Sequence, residues 1–169
     1  MAAEYYRSVL SDGQDIVSIE QELEHVQLYF DITSHSRSDK IEYTLCCEPE
    51  AARLPIPKMT IQPLVENAVK HAFFRPGGNK LDVSVSFRGG QEVTIIVADN
   101  GVGMDTAHFE EVLSGRCEGH FGLYSVRRCM ELLCGGQYSI EAISEKMKGT
   151  EIILRYNAGC ISANGREHD

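Results

Sequence analysis

Apolar and polar positions recur along this chain with two different periods, and the switches between them outline its elements. Leu23, Val26, Gln27 and Phe30 recur at helical spacing, predicting a helix that runs to about Thr33. Ser18-x-x-Gln21 can open it as a capping box, and Glu20, Glu22 and Glu24 load the first turns, where the macrodipole favours acids. Residues 1–10 read as the end of another helix, broken by Ser11-Asp12-Gly13. Ile41–Cys46 alternates as a half-buried strand does, and Leu54-Pro55-Ile56-Pro57 is extended because residues before proline avoid the helical region. A second helix spans Ile61–Phe73. Stepped at about 100° per residue, Ile61, Leu64, Val65, Ala68, Val69 and Ala72 fall on one side, with Glu66, Asn67, Lys70 and His71 on the other. Pro57 can serve as its first residue. Pro63 then requires either a kink or a start nearer Thr60, where a missing N–H falls among the orphan donors.

Pro76-Gly77-Gly78 ends this unit as a turn. Leu81–Phe87 and Glu92–Ala98 alternate on either side of Gly89-Gly90 and predict an antiparallel hairpin. The mixed stretch up to Gly119 predicts a short helix inside a loop. Leu123–Leu133 places Val126, Met130 and Leu133 at helical spacing before Gly135-Gly136 stops it. Tyr138–Ser144 and Thr150–Tyr156 form a last strand pair across Lys146–Gly149, and the small, polar tail at 158–169 is expected to be disordered. Strands outnumber the helices that link them. The expected fold is therefore α+β: a two-layer sandwich with one mixed, mostly antiparallel sheet and helices on one face.

Composition narrows the function classes. A length of 169 residues fits one domain with at most a short appendage. A net charge of −9 argues against duplex nucleic acid as the main partner and leaves nucleotides open, since one local cationic pocket suffices for them. No apolar run is long enough to cross a bilayer, so no direct membrane contact is expected. The six cysteines contain no C-x-x-C. A zinc site from Cys117, Cys129 and Cys134 lacks the usual ligand spacing, and reduced thiols in a cytoplasmic setting are expected.

Three places carry candidate chemistry. Asn67, Lys70 and His71 share one helix surface, where an amide oxygen beside an ammonium and an imidazole suits a polyphosphate bound to Mg²⁺. The same face also reads as a solvated one, with Glu66 and Lys70 as an ordinary i,i+4 pair. Asp99 leaves an apolar strand and can accept a hydrogen bond from an exocyclic amine such as that of adenine. Gly101 and Gly103 let a planar ring lie against the backbone. Gly122 precedes a helix N-terminus, which attracts phosphate.

Taken together, E-N-A-V-K-H (66–71), D-N-G-V-G-M (99–104), G-L-Y-S-V (122–126) and K-G-T (148–150) resemble the ordered asparagine and glycine boxes of the GHKL (Bergerat) ATP-binding fold. The chain is most similar to the catalytic domain of sensor histidine kinases of the LytS/YesM type, over about residues 15–157. That resemblance implies ATP and Mg²⁺ as cofactors. It implies Asn67 as the Mg²⁺ ligand, Lys70 and His71 facing phosphates, and Asp99 holding the adenine amine with Thr150 in support. Gly101, Gly103 and Met104 would border the base, and residues 104–121 would form a lid hinged at Gly122 and Leu123. Glu66 either orients an acceptor or pairs with Lys70, and the pair is preferred. By the same likeness, residues 1–12 are the stub of a dimerisation helix, 13–157 the catalytic domain and 158–169 a tail. The fragment would be monomeric, and its parent would be anchored in the cell membrane.

Two departures stand out: His120 where a lid glycine is usual, and Ser125 where such kinases often carry Asn. None of His25, His35, His71, His108, His120 or His168 sits in the family's phosphoacceptor context. The implied reaction is transfer of the γ-phosphate to a histidine on a dimerisation domain outside this chain, with a response regulator downstream. The alternatives are an ATPase switch of the gyrase, MutL and Hsp90 branch, or a nucleotide-gated docking module without turnover. Pro63 occupies the position of that branch's water-activating carboxylate and cannot act as a base.

Overall fold

The capping box forms as written. In the computed structural model, which describes residues 16–36, 40–71, 79–117 and 121–164, the Ser18 N–H donates to Gln21 Oε1 at 3.0 Å and the Gln21 N–H donates to Ser18 Oγ at 3.2 Å. Helix α1 (Ile19–Ser36) follows, one turn longer than its apolar periodicity required. Its inner face carries Ile19, Val26 and Phe30, and Phe30 stacks on Tyr43 with ring centroids 4.1 Å apart. The expected helix over residues 1–10 lies outside the described residues.

A five-stranded sheet runs in the order β2 (Ile41–Cys47), β4 (Asn79–Arg88), β5 (Glu92–Asp99), β7 (Gly149–Asn157) and β6 (Tyr138–Glu145). β2 pairs with β4 in parallel, and the other three pairings are antiparallel. Parallel neighbours need a crossover, and the segment between β2 and β4 supplies it with helix α2 (Ile61–His71). Gly89 and Gly90 make the β4–β5 turn, both with positive φ. Leu81, Val83, Val85, Val93, Ile95, Val97, Ile152 and Leu154 turn inward on alternate positions, and α1, α2 and helix α4 (Phe121–Cys134) cover that face. This is the expected two-layer α+β sandwich.

Two features depart from the pattern, and a third meets it. Pro57 does not open α2. It ends β3 (Pro55–Pro57), which pairs antiparallel with β1 (Ile16–Ser18) in a separate two-stranded sheet. The helix instead starts at Ile61, which seats Pro63 in the first turn, where no intrahelical partner is lost. The short helix expected after β5 forms as α3 (Thr106–Leu113), with Asp105 capping it through a 2.9 Å bond from the Ala107 N–H. The disorder expected over 158–169 is corrected for its first part: Ala158–Asn164 form helix α5, which packs on β3 and α4 and buries Ala158 and Ile161, while 165–169 lie outside the described residues. One isoleucine among small residues was enough to dock it.

Candidate functional site

Glu22 of α1 positions the central helix of the site. Its carboxylate, 1 % exposed, accepts the N–H groups of Met59 at 2.7 Å and of Thr60 and Ile61 at 3.0 Å each. These donors open α2, so a buried anion satisfies them from another element. Ile61, Leu64, Val65, Ala68 and Val69 then anchor the helix in the core, each larger side chain contributing roughly 1.5–3 kcal/mol on burial.

With α2 so fixed, Asn67 stands at the rim of the core, 9 % exposed, and its side chain has no hydrogen-bond partner among the described residues. It lines two adjoining cavities. The smaller, about 40 Å³, is bordered by Pro63, Glu66, Lys70, His71, Gly122 and Leu123. The larger, about 370 Å³, is bordered by His71, Gly103, Met104, His108, Phe109 and Leu123 among others. The Glu66 carboxylate accepts from Gln62 at 2.9 Å and pairs with Lys70 at 3.5 Å, the geometry of the i,i+4 pair. Burial, reinforced by Lys70 and His108, pushes the His71 imidazole below its ordinary value.

Asp99 ends β5 beside the start of β7. Its Oδ1 accepts the Gly101 N–H at 2.8 Å and the Thr150 N–H at 3.3 Å, so an amine of a ligand would be met by Oδ2. Burial pushes the carboxyl above the ordinary aspartate range, and these two donors pull it partly back. The glycines here are obligatory for space. A Cβ on Gly149 would lie 1.9 Å from the Asp99 carbonyl oxygen, and one on Gly103 would lie 2.4 Å from the Glu145 carbonyl oxygen. Gly122 lets α4 approach α2, with Pro63 3.0 Å from where a Cβ would stand.

The structure thus brings Asn67, His71, Gly103, Met104 and Leu123 onto one cavity, and Lys70 and Gly122 onto its neighbour. Asp99, Gly101 and Thr150 line neither, but they are joined to the larger cavity through the loop that ends at Met104. Sequence reasoning missed the tie that holds this loop. Ser144 Oγ accepts the Met104 N–H at 2.7 Å and lies 2.9 Å from Thr150 Oγ1, while the Met147 N–H donates to the Val102 carbonyl at 2.8 Å. It missed the Glu22 cap as well, whose partners lie more than thirty positions away. Ser125, the second departure, spends its hydroxyl on the Phe121 carbonyl at 2.6 Å. His120 lies outside the described residues.

Comparison with known proteins places the chain in a family and a fold. The family described as histidine kinase-, DNA gyrase B- and HSP90-like ATPases matches residues 55–159. The chain is 34% identical to the sensor histidine kinase YesM of Bacillus subtilis over 88% of its own length, and 30% identical to the sensor protein LytS of Bacillus cereus over 88%. It spans 25% and 26% of those two relatives. Among solved structures, Acinetobacter baumannii histidine kinase AdeS superposes with a TM-score of 0.66 at 15% identity, covering 92% of this chain and 76% of that one. The mycobacterial sensor histidine kinase MprB gives 0.63 at 15% identity, covering 85% and 96%. At such identities the superpositions speak to the fold alone. Fold, ordered boxes and family match agree: the chain belongs to the histidine kinase-, DNA gyrase B- and HSP90-like ATPases and is an ATP-binding domain.

Proposed function

We propose that this domain positions Mg-ATP for transfer of its γ-phosphate to a histidine on a separate dimerisation domain, within a sensor kinase that acts on a response regulator. The observation that carries this is the nearly buried Asn67 amide, without a side-chain partner among the described residues, at the junction of the two cavities and flanked by Lys70 and His71. Its Oδ1 is a hard, neutral donor of the kind Mg²⁺ accepts, and Lys70, which also engages the Glu66 carboxylate, and His71 stand beside it to meet a triphosphate. Asn67 would hold such an ion, which would supply neutralisation of the charge that develops in phosphoryl transfer.

The chain's own residues divide the remaining work. Lys70 and His71 face the phosphates. Asp99 accepts the adenine amine, held by Gly101 and by Thr150. Gly101, Gly103 and Met104 border the base, and Gly122 with Leu123 forms the hinge of the segment that covers it. Glu66 is assigned to its pair with Lys70. Pro63, one turn before Asn67, offers no group to activate water, which favours a protein acceptor over hydrolysis.

The test has two arms. Calorimetry should show Mg-ATP binding that is lost in Asn67→Ala; unchanged affinity would remove the metal assignment. Mixing the domain with a separately made dimerisation domain of a YesM-like kinase and radiolabelled ATP should place acid-labile label on that partner. Nucleotide binding without label would instead identify a docking module.

A further inference from the structure

Beyond the nucleotide reading, we propose that the segment around α3 holds a second cation site, for a zinc-like ion, made by His108, Glu111 and Cys117. One ligand atom from each lies within 4.8 Å of the others. His108 Nδ1 stands 3.8 Å from Glu111 Oε2 and 4.0 Å from Cys117 Sγ. A tetrahedral zinc with ordinary bond lengths separates N from O by about 3.3 Å and N from S by about 3.5 Å. Closing onto the ion therefore needs only a small inward movement of surface side chains.

The donor set selects the ion. One imidazole, one carboxylate and one thiolate suit Zn²⁺ and its neighbours in the first transition row, whereas Mg²⁺ and Ca²⁺ avoid sulfur. Three protein ligands leave a fourth position for water or for another ligand. His108 also borders the 370 Å³ cavity that Asn67 and His71 share, so the fourth position lies beside the proposed phosphate end of the nucleotide site. On binding, Cys117 Sγ exchanges its proton for the metal, and the proton passes to solvent.

The spacing also serves a purpose. His108 and Glu111 lie one turn apart on α3, and Cys117 lies in the loop that leaves it, so one ion would clamp the helix to its own exit. The His108–Glu111 pair itself, with side chains 48% and 61% exposed, is of a kind that contributes little to stability.

Cobalt(II) is the probe, because a thiolate ligand gives it a charge-transfer band and tetrahedral geometry intensifies its visible absorption. The reduced domain, without nucleotide, should take up one equivalent with both signatures, and Zn²⁺ should displace it. Cys117→Ser should abolish the charge-transfer band and His108→Ala should weaken binding at least about tenfold, while Cys46→Ser and Cys129→Ser leave the titration unchanged. No thiolate band in the unaltered protein, or a band that survives Cys117→Ser, would overturn the site. Because all three ligands are exposed or half-exposed, the variants keep their fold, which circular dichroism would verify. Failure here leaves Mg-ATP binding untouched, and failure of Mg-ATP binding leaves this titration untouched.

Discussion

Asp99 sits where a carboxylate is uncomfortable. Burial raises it above its ordinary value of 3.8, so the folded chain favours the protonated form relative to the unfolded one. Such a group adds most to stability below the ordinary carboxylate range, and that contribution is lost as pH rises through the raised value. Asp99→Asn should therefore raise the melting temperature of the nucleotide-free domain at pH 7, a gain that shrinks as the scan moves towards pH 3.8. The same change should weaken ATP by roughly 10- to 100-fold and erase discrimination against GTP, since a charged hydrogen bond contributes about 1.5–3 kcal/mol. His71 shifts the opposite way. Its depressed value keeps the ring neutral, and its contribution to stability, present above the ordinary 6.5, is lost as pH falls through the lowered value. A triphosphate would favour the charged ring, so Mg-ATP binding near pH 6.5 should take up a proton. Calorimetry in buffers of different ionisation enthalpy should show it, and His71→Asn should remove it.

At the scale of elements, the site depends on joints between them. Glu22→Ala would strand three N–H groups at the start of α2 and should cost about 3 kcal/mol in urea unfolding. Glu22→Gln, which keeps one acceptor oxygen, should lose less. Gly149→Ala should cost a similar ~3 kcal/mol, because β7 would have to retreat from the Asp99 carbonyl at a φ of +119°. These joints also mark what the residue pattern can tell. The β4–β5 hairpin was legible because alternation and Gly89-Gly90 are local signals, and α2 because its apolar stripe spans three turns. Asn67 and Asp99 were legible through the order of four motifs rather than by their local spacing, which also fits a solvated helix face and an ordinary turn. The parallel partner of β2 was not, since nothing within seven residues names a distant strand. β1 and β3 are three residues each, and two prolines mask the second. Glu22 looked like one more acid in a first turn because its donors arrive from another part of the chain.

For the molecule as a whole, α5 completes the core. Ile161 is 1 % exposed, and Cys160 neighbours Cys134 of α4, whose thiol is pushed up to about 12 by burial and by Cys160 and Cys129. Ile161→Ala should lower stability by about 2–4 kcal/mol while leaving ATP affinity unchanged, read from urea midpoints and calorimetry. That contrast would separate structural support from ligand contact.

The reach of Glu22 also bears on where this domain starts. The family match begins at residue 55, and a fragment cut there would retain every pocket-lining side chain yet lose the acid that finishes the central helix. The border of the family match therefore falls short of the residue that completes α2, whereas the similarity to YesM extends over 88% of the chain. The packed structure reaches back through Ser18, where the turn that sets up α1 is tied, to Ile16, which pairs with Pro57.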